Sequence, residues 1–369
     1  MAAAAQDSSH TQDARRKAEH LEIVSGRPVT HTGGTLLDNV HLIPQALPEL
    51  NPDDIDLSCS FFGRQLAAPM MICSMTGGME IGGRLNRDLA EVAGRSKIAF
   101  AVGSQRVMLR HPEVTADFAV RKHIPDGVLL GNIGASQLKE YDAAKIVGLV
   151  EAIEADGLCV HLNPAQELIQ PEGIHEFRGL LDAIARLLEK LKGRLLVKEC
   201  GAGLSPQVLQ KLTAIGVPYI DVSGSGGTSW TKVEMYRATS EQLRRLGQTF
   251  ADWGLPTAFC VYAAGRIVPE DRVIIASGGI ANGLDAARAI ALGADVIGVA
   301  RQVLLAYLKD GQQGAQSFVN QMVQEIKVAM LLSGAGDVGA LQRVPRIYKG
   351  ELSQWIAAFE SDLEVVDDN

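Results

Sequence analysis

The chain has few cysteines and none that pair. Cys59, Cys73, Cys159, Cys200 and Cys260 are five in 369 residues, an odd number with no CxxC spacing. That excludes a disulfide scaffold or a zinc ribbon and reads as free thiols in a reducing cytoplasm. Positive charge is also short: 35 Lys and Arg face 43 Asp and Glu, for a formal net charge of −8. A nucleic-acid binder needs a basic surface against phosphates, so that partner is excluded, whereas a small anionic substrate needs only a few local cations. Apolar runs of about 18 residues are missing, so no membrane span is expected. The opening MAAAAQDSSHTQDARR lacks a basic start followed by a long apolar stretch and does not read as a secretory signal.

What is present is a 47% hydrophobic chain, enough for a large buried core. Short apolar runs recur eight times: Pro69–Thr76, Ile98–Ser104, Val128–Asn132, Leu158–Asn163, Leu195–Glu199, Tyr219–Ser223, Val273–Gly278 and Val296–Arg301. Continuous apolar runs suit strands buried on both faces, as in a parallel sheet. Helical spacing fills the gaps, as in Arg84–Ser96, Ala143–Ala155 and Phe177–Leu191. Ser205 followed by Pro206 suits a helix start, and Gly293 stops a helix over Asn282–Leu292. Eightfold strand–helix alternation is the pattern of an α/β (β/α)₈ TIM barrel, with a doubly wound open sheet as the alternative. The divisions expected are a flexible tail over 1–13, an irregular arm and lead-in over 14–66, the barrel with a C-terminal strap over 67–350, and a tail over 351–369.

Barrel active sites lie at the C-terminal ends of strands. Those ends are rich in small, hydrogen-bonding and charged residues. Glycines cluster late, at Ser223–Thr228, at Gly278 and Gly279, and before Ala300 and Arg301. Glycine lets backbone N–H groups approach phosphate oxygens, and a helix start favours an anion, so a mononucleotide phosphate fits here; tight turns are the plainer explanation. Lys198 ends an apolar strand and could stabilise an electron-rich ring, or pair structurally with Glu199 or Asp221. His161, Asn163, Gln166 and Glu167 sit within seven residues. Glu167 suits a hard divalent cation, which takes one or two carboxylates plus substrate phosphates and water. Arg16, Lys17 and His20 precede the barrel. They form either a solvated face or, if the arm folds over the mouth, a diphosphate clamp opposite Arg106. Trp230 and Tyr236 could wall the site or simply pack.

These blocks resemble the type II, FMN-dependent isopentenyl-diphosphate isomerases. The resemblance runs from Arg16 to about Gly350 through RKAEHLEIV, APMMICSMTGG, AVGSQR, GNIGA, HLNPAQELIQPEG, VKE, DVSGSGGTSW, SGGIANGLDAARAIALGADVIGVAR and LQRVPRIYKGEL. It implies FMN on Ser74, Met75, Thr76, Gly77, Ser104, Asn132, Lys198, Ser223, Thr228, Gly278, Gly279, Ala300 and Arg301. It implies substrate on Arg16, Lys17, His20, Ser104, Gln105, Arg106, His161, Asn163 and Gln166, with Gln166 catalytic and Mg²⁺ on Glu167. NADPH or NADH would first reduce the flavin, and the assembly would be a homo-oligomer, tetramer or octamer.

A 2-hydroxy-acid oxidase on the same barrel would need a His and an Arg where this chain has Ser225 and Thr228. An IMP-dehydrogenase-like reading needs a nucleophilic loop cysteine, for which Cys200 is the nearest. A flavin-binding protein without activity is the third alternative; Gln166, Glu167 and Arg106 argue against it.

Overall fold

The computed structural model describes residues 15–75 and 80–367. Among these residues eight parallel strands close a barrel. In chain order they are Met70–Ile72, Ala99–Ala101, Leu129–Gly134, Gly157–Leu162, Leu195–Glu199, Tyr219–Asp221, Val273–Ala276 and Val296–Val299. Each pairs with its neighbour in sequence, and the eighth returns to the first with Ile297 opposite Met70. Six fall inside an apolar run picked out above, while Leu129–Gly134 runs two residues past its run and Gly157–Leu162 starts one residue before, so the barrel expectation holds and the open sheet does not.

The runs are continuous because alternate residues face two different cores. Met71, Ala99, Ala101, Leu130, Cys159, Leu196, Ile275 and Val296 fill the barrel interior. Their neighbours Met70, Ile72, Phe100, Leu129, Leu158, Val160 and Val197 pack outward under the helices. The expected cap at Ser205 is present, with its Oγ accepting the Val208 N–H and Pro206 in the first turn, and the Asn282 side chain caps a further helix by accepting the Asp285 N–H.

Two divisions differ from expectation. The lead-in is irregular only in part. Residues 15–26 form a helix. Val40–Leu42 pairs antiparallel with Arg346–Tyr348. A hairpin of Cys59–Phe61 and Arg64–Leu66 plugs the N-terminal end of the barrel, adding Phe61 and Leu66 to its interior. Phe62 stacks on Tyr219 at 3.8 Å and lies so close to Gly157 that a Cβ there would come within 2.2 Å of it. Residues 351–367, expected as a tail, belong to a helix spanning Gly350–Asp367. Leu352, Ile356 and Phe359 are buried at helical spacing, Phe359 against Phe259, and Glu360 accepts from Tyr262 and Arg266. A long helix follows the eighth strand, from Arg301 to Ser333, with a break at Asp310 and Gly311. No helix among the described residues is long and apolar enough to cross a membrane.

Candidate functional site

The C-terminal strand ends and the N-terminal helix enclose a cavity of about 280 Å³. Ser74 and Met75 come from the first strand, Ser104 and Arg106 follow the second, and Asn132 lies on the third. His161, Asn163, Gln166 and Glu167 follow from the fourth strand, and Lys198 from the fifth. Ser223 and Thr228 come after the sixth, Gly278 and Gly279 after the seventh, and Ala300 and Arg301 after the eighth. Arg16, Lys17 and His20 line the same cavity from above. The basic run is thus a roof over the mouth, not a solvated face.

Hydrogen bonds to and from the backbone around it seat that roof. Ser229 N–H donates to Val29 O at 2.7 Å, His31 N–H to Gly227 O at 2.9 Å, and Arg301 Nε to Val24 O at 3.0 Å. Leu21, Val24 and Trp230 give it an apolar lining. Tyr236 faces away and is partly exposed beneath Arg27.

The floor is cationic. Burial opposes the charge of Lys198, but the acidic groups around it, Cys200 and Asp221 foremost, outweigh burial and hold its pKa above the ordinary lysine value. Lys198 donates to the Glu199 carbonyl, while the Glu199 carboxylate is engaged by the N–H groups of Gly201, Ala202 and Gly203. Glu199 therefore shapes its own loop rather than capping the ammonium. Asp221 Oδ1 accepts from Ser277 Oγ at 2.7 Å and from the Ser223 N–H at 3.1 Å, joining the sixth and seventh strand ends. Ser223 is held there at φ 40°, a left-handed conformation that non-glycine residues seldom adopt.

Imidazole and thiol are both silenced as charges. Burial first, then the cations Lys198, Arg106 and Arg16, push His161 down to about 3, so it is a neutral ring whose Nδ1–H donates to Asn132 Oδ1 at 3.2 Å. Burial pushes the Cys200 thiol up to about 12, which removes it as a thiolate nucleophile near neutrality. Ser225 and Thr228 supply no imidazole or guanidinium, so the oxidase pair is absent from this loop.

Gln166 is fixed from two sides. Its Nε2 donates to Glu234 Oε1 at 2.9 Å and its Oε1 accepts from Asn163 Nδ2 at 3.0 Å. Glu234 Oε1 also meets His20 Nε2 at 2.9 Å, and Glu234 Oε2 accepts from Arg237 at 2.6 Å. Burial works against the fully buried Glu234 carboxylate. The hydrogen bond and charge of His20, the charge of Arg237 and the Gln166 amide win and hold its pKa below the usual range. Sequence reading missed Glu234 and Arg237. They lie in the helix Trp230–Arg237, away from any strand end, and their only local signal is an i,i+3 acid–base pair.

Glu167 is buried, with Oε1 accepting from Asn163 Nδ2 at 3.2 Å and Oε2 from the Ile174 N–H at 2.7 Å. Among the described residues no group of three or more His, Cys, Asp or Glu side chains could hold a metal. A cation here would draw most of its ligands from water and substrate, as Mg²⁺ does.

The cavity fits an anionic, hydrogen-bonding cofactor. Ser74 Oγ, in the cavity wall, is buried without a hydrogen-bond partner among the described residues. Gly278 and Gly279 adopt φ of 98° and 78°, and a Cβ on either would strike the Gly224–Gly227 backbone. Packing between the two loops thus already requires these glycines, and the same absence of side chains leaves their backbone open to a phosphate.

Of the expected site residues, Thr76 and Gly77 lie outside the described residues. Gln105 does not reach the cavity. It is fully buried, accepts from the Asn132 N–H at 3.0 Å and donates to Leu149 O at 3.0 Å, bracing the third strand from behind.

Residues 169–346 match the sequence family described as FMN-dependent dehydrogenase. The chain is similar over most of its length to proteins named isopentenyl-diphosphate delta-isomerase. That of Nostoc sp. is 44% identical over 92% of this chain and 98% of the relative. That of Halobacterium salinarum is 42% identical over 95% and 98%, and that of Pyrococcus furiosus 40% over 94% and 89%. Among solved structures, a mandelate oxidase variant with a monooxide FMN adduct superposes with a TM-score of 0.61 at 18% identity, over 89% of this chain and 95% of that one. A mandelate oxidase with (S)-2-phenylpropionate gives 0.60 at 17% identity over 92% and 98%. At those identities the likeness is one of fold.

Proposed function

The chain belongs to the isopentenyl-diphosphate delta-isomerases, and from that premise we propose that it interconverts isopentenyl and dimethylallyl diphosphate with reduced FMN as the acid–base group. The observation that carries the reading is the convergence of two cationic ends on one apolar-walled cavity: Lys198 below, Arg16, Lys17 and Arg106 above. One end suits an electron-rich ring, the other a diphosphate.

The reaction adds a proton to one carbon of an allylic unit and removes one from another. An alkene is a feeble base and its C–H a feeble acid, so ordinary side chains serve both steps poorly. Bound reduced FMN would supply a ring nitrogen able to give and take that proton. The chain's residues do the rest. Ser74, Met75, Ser104, Asn132, Ser223, Thr228, Gly278, Gly279, Ala300 and Arg301 would hold the flavin, and Lys198 would stabilise negative charge on its ring. Arg16, Lys17, His20, Arg106, His161 and Asn163 would hold the diphosphate, with Glu167 presenting Mg²⁺ to it. Such anchoring far from the reacting carbons supplies binding energy that orients them. Gln166, fixed by Asn163 and Glu234, would position the migrating proton at the carbon chain. Leu21, Val24 and Trp230 would exclude water from it.

NADPH or NADH is the proposed source of the initial reduction, the compartment the cytoplasm, and the assembly a homo-oligomer. The decisive test is turnover of chemically reduced, FMN-loaded protein with Mg²⁺ and isopentenyl diphosphate in D₂O, read by NMR. Deuterated dimethylallyl diphosphate should form without stoichiometric use of nicotinamide. An unlabelled hydrocarbon chain, or one reductant consumed per product, would refute the reading.

A further inference from the structure

Arg237 gathers three carboxylates from three separate elements. Its Nε meets Glu19 Oε2 at 3.0 Å, one terminal nitrogen meets Glu234 Oε2 at 2.6 Å, and the other meets Glu172 Oε1 at 3.1 Å. Glu19 belongs to the N-terminal helix over residues 15–26. Glu172 lies just beyond the helix Pro164–Ile169, which carries Gln166 and Glu167. Glu234 shares the helix of Arg237. The Arg237 side chain is 9% exposed and the Glu234 side chain 0%, so the centre of the cluster is shielded from water, while Glu19 and Glu172 close it from its partly exposed rim. Arg237 itself is not part of the cavity wall.

We propose that Arg237 is the latch of this enzyme, a positioning residue that holds the cationic roof and the Gln166–Glu167 segment in one register over the barrel mouth. The proposal rests on the function inferred above for what that roof binds, but not for the latch itself. Arginine suits the task because its planar fork offers N–H groups in fixed directions, so each carboxylate takes a different nitrogen. A lysine could satisfy one carboxylate at a time. Glu19 stands one residue before His20, and two and three residues after Lys17 and Arg16, so fixing Glu19 fixes the turn of helix that carries the substrate clamp. Further contacts bear on the cluster. Arg15 also pairs with Glu19 at 2.9 Å, and His20 with Glu234 at 2.9 Å. Through Glu234 Oε1, His20 also reaches Gln166. What Arg237 adds is Glu172, which ties the chain just past the Gln166–Glu167 helix to Glu19 and the roof.

The test uses FMN-loaded full-length protein. Trypsin cuts after Arg15, Arg16 and Lys17, so roof opening is read without substrate as the rate of cleavage there, followed by mass spectrometry. Glu19→Gln removes only the roof's hold on the latch. It should speed that cleavage and raise KM for the C5 diphosphate, each by about tenfold, with kcat within about twofold of wild type. Arg237→Lys should restore a charge beside Glu234 and keep kcat, yet still show the raised KM and faster cleavage. Arg237→Met should show both and lose kcat as well, because Glu234 then loses its buried partner. Cleavage at 15–17 and KM both unchanged in Glu19→Gln and Arg237→Lys would overturn the latch. So would a loss of kcat alone. If Arg237→Met does not fold, the other two variants decide. A wild-type protein with no isomerase turnover would sink the functional reading while leaving the cleavage result to judge the latch.

Discussion

Gln166 and His161 are neutral groups placed among charged ones, and each gives a separate prediction. Gln166→Ala removes an amide whose two ends are committed to Glu234 and Asn163. Turnover should fall by about 100-fold with FMN still bound, as judged by the flavin spectrum of the purified variant. Turnover within twofold of wild type would remove Gln166 from the mechanism. For His161, the folded pKa of about 3 lies below the ordinary value of 6.5. The unfolded chain therefore binds a proton that the fold refuses, and the ring's contribution to stability is whole above about pH 6.5 and shrinks as pH falls toward 3. Urea midpoints of flavin-free protein should drop between about pH 7 and pH 4.5, and His161→Asn should drop less. Equal slopes in the two proteins would show that His161 is not buried as a neutral ring.

The element that departs furthest from expectation is the C-terminal helix. Leu352, Ile356 and Phe359 recur at helical spacing, so the pattern was legible, but what they pack on was not. Phe259 and Tyr262 belong to the helix Thr257–Ile267, almost a hundred residues earlier in the chain. Phe359→Ala should cost roughly 3 kcal/mol of stability, seen as a lower denaturant midpoint. The turnover of protein that remains folded should be unchanged, since this helix does not contribute to the cavity wall. A variant of full stability would mean that the helix is not docked. The eight barrel strands, by contrast, were readable one by one. Each is a short apolar run buried on two sides, and that double burial leaves no room for polar residues until the strand reaches the mouth.

At the scale of the molecule, a chain of net charge −8 presents a cluster of cations to one cavity. The acidic surface repels anions in general while the local field at the mouth draws them in, and both fields weaken with salt. Raising ionic strength from about 0.02 to 0.5 M should therefore increase KM for the diphosphate several-fold and leave kcat nearly constant, because screening acts on capture more than on groups buried beneath the roof. A KM indifferent to salt would argue that the cations are already neutralised by neighbours.

The sequence by itself determined the barrel and most of the residues on its rim, because a strand end is a local event: an apolar run stops and a polar residue follows. It also carried the motif blocks that relate the chain to its family. Only the tertiary structure decided that Gln105 braces a strand behind the cavity wall, that Glu234 and Arg237 belong with Gln166, and that residues 15–26 roof the mouth. Those facts depend on burial and on contacts between residues far apart in the chain. Hydrogen-bond partners of that kind are fixed by how the elements pack, and no local pattern of residues encodes them.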